Sequence, residues 1–257
     1  TLTGDMLINA KLLIGSDGRD SRVVKNSGIK RSIYEYNQLG LVSAISHEYD
    51  HLGEAHQFFM PTGPIAVLPL KGKRSSIVWT QEKMSAERIS RLSDQEYLKE
   101  LSSRFGNFRG EICLEGKRFH YPLKLMFVEK LIAERVAIIG DAAHSIHPLA
   151  GQGLNLGMRD AACLAEVVVE ASRRGEDLGQ QDVLARYNSW RGLDRFTTFF
   201  VTHGVNNLFS NDITALRLLR GMSMKAINKI PIVRRNLVKE ANGLLGDLPL
   251  LMKGVNL

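Results

Sequence analysis

The sequence predicts an α/β chain on three observations. Near its start a short apolar run, Lys11 to Gly15, ends in glycine, as a buried strand feeding a loop does. Strand-like runs between Leu39 and Thr80, divided by turn residues, then read as an antiparallel block. A strand–loop–helix passage from Arg135 to Arg174 follows, and beyond Asp182 the pattern is helical.

The block comprises Leu39–Ile45, Gln57–Met60, Ile65–Leu70 and Ser76–Thr80, with turn signals at Pro61–Pro64 and Lys71–Lys73. Ser93 and Glu96 form a capping-box pair, because the serine oxygen and the glutamate carboxylate can each accept from the other's backbone amide. Leu98, Leu101 and Phe105 continue that helix, and Gly106 stops it. Strands are expected at Arg118–Phe127 and Arg135–Gly140, then a helix from about Leu154 to Arg174 ending at Gly175. Leu154, Met158, Ala161, Ala165 and Val168 are expected on its apolar face. Pro231 suits the first turn of a later helix.

With 257 residues, the chain has room for one large domain or two small ones with real cores. Hydrophobic residues at 44% and charged residues at 24% are ordinary values for a folded soluble chain. The longest apolar runs, such as Val136–Ile139, fall far short of the ~20 residues a spanning helix needs. No basic segment followed by an apolar one opens the chain, so a cytoplasmic location is expected. Cys113 and Cys163 read as separate thiols in a reducing compartment. The net charge is +7, and from Arg217 onward eight Lys or Arg face two acids, so nearly all the excess lies in the last forty-odd residues.

Chemistry concentrates between Arg135 and Asp160. An apolar strand delivers Gly140 and Asp141 to its end, where a carboxylate can hold a sugar or ribitol hydroxyl by charge-assisted hydrogen bonds. Gly151, Gln152 and Gly153 let backbone amides approach a ligand, since glycine removes the Cβ obstacle. The helix starting there points its positive end into the loop, which suits a ring gaining negative charge on reduction. The run Gly140-Asp141 resembles the Gly-Asp flavin motif of the p-hydroxybenzoate-hydroxylase-like monooxygenases. More narrowly, His147-Pro148-Leu149-Ala150-Gly151-Gln152-Gly153-x-Asn155-x-Gly157-x-x-Asp160 is similar to the signature of the ubiquinone-biosynthesis hydroxylases. Upstream, Ser16-Asp17-Gly18-Arg19-Asp20 resembles the family's Asp-Gly motif, with Ser16 where many relatives carry Ala or Cys. Phe59 to Leu70 looks like its substrate-domain strand pair, so the resemblance runs from Leu12 to about Arg195.

The resemblance implies a truncated p-hydroxybenzoate-hydroxylase-like flavoprotein fold. Residues 1–30 and 129–180 would belong to an FAD domain, 31–128 to an interleaved antiparallel substrate domain, and 181–257 to C-terminal helices. The cofactors implied are FAD and NADPH as reductant, and the substrates a polyprenylated phenol and O₂. The chemistry would be flavin-borne, with no residue nucleophile. Asp141 is expected on the ribitol, Gly151, Gln152, Gly153, Leu154 and Asn155 at the pyrimidine edge, and Pro148 near the ring. Asp17, with Gly18 and Arg19, is expected toward the adenosine and pyrophosphate. The family's Gly-x-Gly-x-x-Gly pyrophosphate turn is absent from the sequence. That absence and the abrupt start predict a fragment that binds flavin poorly. Two other readings stand beside this one: a flavin monooxygenase of small soluble aromatic acids, and a non-catalytic subunit holding prenylated intermediates.

His47-Glu48-Tyr49-Asp50-His51 fits the His-Glu-x-x-His zinc pattern, which requires both histidines on one helix face. The segment instead follows a strand-like run and meets Gly53, so no metal is expected there, nor at Asp141, His144 and His147. Phe58, Phe59 and Trp79 read as core or as an aromatic pocket, and Arg19 and Arg22 as phosphate contacts or solvated groups. In the C-terminal part, Ile213, Leu216, Leu219, Ala226 and Ile230 oppose Arg217, Arg220, Lys225 and Lys229. That pattern suits a docked helix with a wet basic side, or peripheral contact with an anionic inner membrane. A ubiquinone-biosynthesis protein complex is a further expected partner; nucleic acid is not.

Overall fold

The computed structural model describes residues 8–60, 62–146, 151–192, 194–195, 230–231, 235, 239 and 246–257. In chain order these form β1 (Leu13–Gly15), α1 (Arg22–Asn26), β2 (Arg31–His47), β3 (His56–Phe58), β4 (Ile65–Leu70) and β5 (Arg74–Glu82). Next come α2 (Lys83–Ser90), α3 (Asp94–Phe105), β6 (Ile112–Val128), β7 (Ile132–Ala133), β8 (Val136–Ile138) and β9 (His144–Ser145). Helix α4 (Gln152–Arg173) and helix α5 (181–192) follow. The chain divides into two compact units, one drawn from 1–34, 125–202 and 227–257, the other built on 35–124, with the divisions falling inside β2 and β6.

In the second unit β3, β4, β5 and β2 pair antiparallel, with Leu41 opposite Trp79 and Ile65 opposite Trp79 on the next strand. Alternate residues of β5 point inward, so Ser75, Ile77 and Trp79 are buried while Ser76 and Val78 between them are only partly covered. Their apolar face packs on Ala86 and Ile89 of α2 and on Tyr97, Leu101 and Phe105 of α3. The Ser93–Glu96 capping box is present, and Gly106 ends α3 at φ +82°. The buried stripe of α3 runs through Tyr97, whose hydroxyl meets Ser43 Oγ at 2.9 Å, and Leu98 is only partly buried. Trp79 is core, Phe58 packs against that core, and Phe59 is exposed.

In the first unit β1 lies parallel to β8, and β7 antiparallel to β8 on its other side. β8 is a continuous apolar run, as a central strand covered on both faces should be. Ala137, Ile138, Cys163, Val167, Val183, Leu184 and Tyr187 share its core. The sequence placed the inner face of α4 wrongly. Leu156, Asp160, Cys163, Val167 and Ala171 are buried, whereas Leu154 is 75% and Met158 59% exposed. The true stripe is offset by two residues, about 200° around the helix. Arg159 and Asp160, buried but charged, hid it from a hydrophobicity pattern. Among the described residues no helix is long and apolar enough to cross a membrane. Residues 213–229, including Arg217, Arg220, Lys225 and Lys229, lie outside the described residues; Pro231 is helical, directly after the non-helical Ile230.

Removing a cap hydroxyl costs about 1 kcal/mol. Ser93→Ala is therefore expected to lower unfolding free energy by about that amount in urea denaturation, with an unchanged m-value.

Candidate cofactor site

Strand β8 ends at Ile138, and the Ile139 amide still donates to Gly15 O of β1 at 3.0 Å. The chain then turns sharply in a single 3-10 turn, Gly140–Ala142, closed by the Ala143 amide donating to Gly140 O at 2.8 Å. Gly140 has φ +63°, a left-handed conformation that other residues adopt only with strain. A Cβ on Gly157 would lie 3.2 Å from Gly140 Cα, so the second turn of α4 sits backbone-close to the Gly-Asp turn. Both glycines of the motif are thus fixed by geometry within this chain.

Asp141 projects from the turn with its side chain 52% exposed, and Arg19 Nε stands 3.4 Å from its Oδ2. Helix α4 begins at Gly151, φ +62°, with no side-chain cap and no acidic residue in its first turn. A Cβ built on Gly140 or Gly151 would meet nothing within 4 Å, so the turn and the head of the helix are both open to a ligand. Within the first turn Asn155 Nδ2 donates to Gln152 Oε1 at 3.3 Å, Gly153 is half-buried and Leu154 stands out into solvent. Pro148, with His147, Leu149 and Ala150, lies outside the described residues.

Asp17 has a local task. Its Oδ2 accepts from the Arg22 amide at 2.7 Å and the Val23 amide at 3.3 Å, capping α1. The Ser21 hydroxyl, with those amides, holds its carboxyl below the ordinary range against the opposing effect of burial. Gly18 follows at φ +82°, and Arg19 leaves that turn toward Asp141.

The residues sequence reasoning missed lie beneath the turn. Asp160 of α4 is fully buried, and its Oδ2 accepts from the Gly140 amide at 3.1 Å and meets His144 Nε2 at 2.6 Å. Its Oδ1 accepts from Arg191 Nε of α5 at 2.7 Å. Arg191 also pairs with Asp194, which accepts from Arg159 at 2.7 Å. Tyr187, likewise on α5, donates to the Ile138 carbonyl at 2.8 Å. Burial pushes the Asp160 carboxyl up, but hydrogen bonds and charge from His144 and Arg191 outweigh it and leave it below its ordinary value of 3.8. As a carboxylate it only accepts, so His144 Nε2 carries the proton between them. Cys163 lies in the same core, its thiol pushed up to about 12 by burial, and is a packing residue.

His47 ends β2, its ring nitrogens engaged by Tyr49 O at 2.8 Å and Ser75 Oγ at 3.0 Å. His51 Nε2 meets the carbonyls of Leu70 and Gly72, both at 2.8 Å. The segment is strand and turn, not the helix that a His-Glu-x-x-His zinc site requires.

A family model described as an FAD binding domain matches residues 2–193, three quarters of the chain. The chain belongs to this FAD-binding family. Among its relatives, ubiquinone hydroxylase UbiL of Rhodospirillum rubrum is 38% identical over all of this chain, which covers 61% of that protein. The 3-demethoxyubiquinol 3-hydroxylase of Escherichia coli is 33% identical over 95% of this chain and 62% of its own length. The chain thus spans about three fifths of these relatives. The solved p-nitrophenol 4-monooxygenase PnpA of Pseudomonas putida shares the fold, with a TM-score of 0.72 and 20% identity over 91% of this chain and 59% of its own. The flavoprotein fold that the resemblance implied is the fold observed.

Breaking a buried ion pair by removing one partner costs about 3–5 kcal/mol. Asp160→Asn is expected to lose an amount in that range at neutral pH, measured by denaturant unfolding. Because the folded carboxyl titrates below 3.8, its contribution is complete above that value and is lost as pH falls through the folded pKa. The gap between wild type and variant should therefore be constant near neutrality and close only in acid.

Proposed function

We propose that the protein is a flavin-dependent monooxygenase that hydroxylates a polyprenylated phenol in ubiquinone biosynthesis, using FAD, NADPH and O₂. The observation that carries this reading is the pairing of an exposed carboxylate, Asp141, with the open, uncapped N-terminus of α4, both set against one glycine turn. A carboxylate suits a ribitol hydroxyl, and a helix N-terminus suits the electron-rich edge of a flavin. The printed activities of the relatives, ubiquinone hydroxylase and 3-demethoxyubiquinol 3-hydroxylase, supply the substrate class.

In this reading Asp141 accepts from the ribitol, and the amides at Gly151, Gln152 and Gly153 face the pyrimidine edge with Leu154 and Asn155 beside them. Pro148 packs near the ring. Gly18 and Arg19 lie toward the phosphates, with Asp17 holding their turn rather than touching the ligand directly. Bound FAD, reduced by NADPH, supplies the oxygen activation that hydroxylates the phenol. The chain's own residues bind, orient and exclude water.

A charge-assisted hydrogen bond of this kind is worth about 1.5–3 kcal/mol. In the whole protein, Asp141→Ala should weaken FAD retention by roughly ten- to a hundredfold, read as flavin absorbance after gel filtration. Retention equal to wild type would remove Asp141 from the site.

We also propose that the basic residues Arg217, Arg220, Lys225 and Lys229 bring the enzyme to an anionic membrane holding its prenylated substrate. Each can contribute about 1 kcal/mol near such a surface, falling with salt. Vesicles containing anionic lipid should co-sediment the wild-type protein at low salt and release it at high salt. A variant with all four changed to Gln should stay in the supernatant; equal pelleting of both proteins would refute membrane contact by this segment.

A further inference from the structure

The proposed site presents opposite charges side by side. Arg19, on the turn after β1, stands with Nε 3.4 Å from Asp141 Oδ2, and the two side chains are 56% and 52% exposed. Each is carried next to a left-handed glycine, Gly18 at φ +82° and Gly140 at φ +63°. A Cβ built on either glycine would meet nothing within 4 Å, so both turns leave open space beside the pair. Arg31 Nη1 lies 3.4 Å from the Arg19 carbonyl, which brings a second guanidinium to the same turn. The other acids of the turn are Asp20, which is exposed, and Asp17, whose Oδ2 is engaged by the α1 amides.

Asp141 by itself would work against part of its own ligand. A carboxylate accepts readily from a polyol hydroxyl, but it repels a phosphate carried on the same polyol. In a ribitol phosphate the anion is only a few bonds from the hydroxyls, well inside the ~10 Å over which exposed charges act in ~0.1 M salt. Arg19 reverses the sign of the field there. A guanidinium presents its donors in a fixed fork, so one arginine can serve a carboxylate and a phosphate together. As a stabilising contact the pair is weak, because it is exposed and long at 3.4 Å. Its position on the carboxylate of the proposed site is what gives it a role.

We propose that Arg19 makes the Asp141 site specific for a phosphorylated polyol. The carboxylate takes the hydroxyl, and Arg19, set against it, takes the phosphate that the carboxylate alone would repel. The identity of the polyol rests on the flavin reading; the choice between its free and phosphorylated forms is assigned to Arg19.

The test reads a ratio of affinities, not an activity. The whole protein, freed of flavin, is titrated with FMN and with riboflavin, which share the ring and the ribitol and differ in the phosphate, and binding is followed by quenching of flavin fluorescence. Wild type should bind FMN at least about tenfold more tightly than riboflavin, the order expected of one charge-assisted hydrogen bond. That advantage should shrink as salt is raised. Arg19→Gln should cut the FMN advantage at least about fivefold or reverse it, and Arg19→Lys, which keeps the charge, should restore most of it. Asp141→Ala should weaken riboflavin, which lacks the phosphate. If neither flavin binds wild type, or if Asp141→Ala leaves riboflavin affinity unchanged, the flavin reading of the site fails and the proposal with it. If Asp141→Ala weakens riboflavin as expected, three results overturn the role of Arg19 alone: equal binding of the two flavins by wild type, a wild-type ratio in Arg19→Gln, or a ratio in Arg19→Lys no better than in Arg19→Gln.

Discussion

One buried carboxylate organises the functional half of this chain. Taking Asp160 out of water costs several kcal/mol, which is recovered only if its lone pairs are well used. Here they are used by groups far apart in sequence: the Gly140 amide at the end of β8, His144 of β9 and Arg191 of α5. A single side chain of α4 therefore ties together the strand that ends at the Gly-Asp turn, the short strand after it and the neighbouring helix. None of those partners can move without leaving a charge or an amide unsatisfied in the core.

The two halves of the proposed cofactor site inherit their relation from that tie. Asp141 follows Gly140 directly, and the N-terminus of α4 begins two turns before Asp160. Fixing Gly140 to Asp160 fixes the carboxylate relative to the helix end. The close approach of Gly157 to Gly140 means that a side chain at Gly157 would have to push the Gly140 backbone aside by a few tenths of an ångström. Arg191, held by Asp160 and Asp194, and Tyr187, bonded to the Ile138 carbonyl, seat α5 against the back of the strand.

Much of this architecture was legible in the residues. Ile65–Leu70, the Ser93–Glu96 cap and the Gly106 and Gly175 stops are local signals written in alternation, capping chemistry and backbone freedom, and all recur in the structure. The turn at Gly140 and Asp141 and the start of α4 after Gly151 were legible as well, because they lie within one short segment. The network under the turn was not. Asp160 closes the quoted signature, but its partners His144 and Arg191 lie sixteen and thirty-one residues from it, and helical spacing alone does not say that its carboxylate faces inward. The same ambiguity reversed the expected face of α4, where exposed Leu154 and Met158 look like core and buried Arg159 and Asp160 look like surface. Asp17 carries a local task that its place in the motif does not announce: its Oδ2 caps α1. The short α1 and α2 escaped notice because five or eight residues carry too little periodicity to register.

The amide of Gly140 is held by Asp160 inside a folded core, and native-state hydrogen exchange reads that bond directly. The Gly140 amide is predicted to exchange only through large-scale unfolding, with protection matching the central amides of α4, although the Asp141 side chain beside it is open to solvent. Exchange of Gly140 at the rate of unprotected surface amides, under conditions where α4 stays protected, would contradict it.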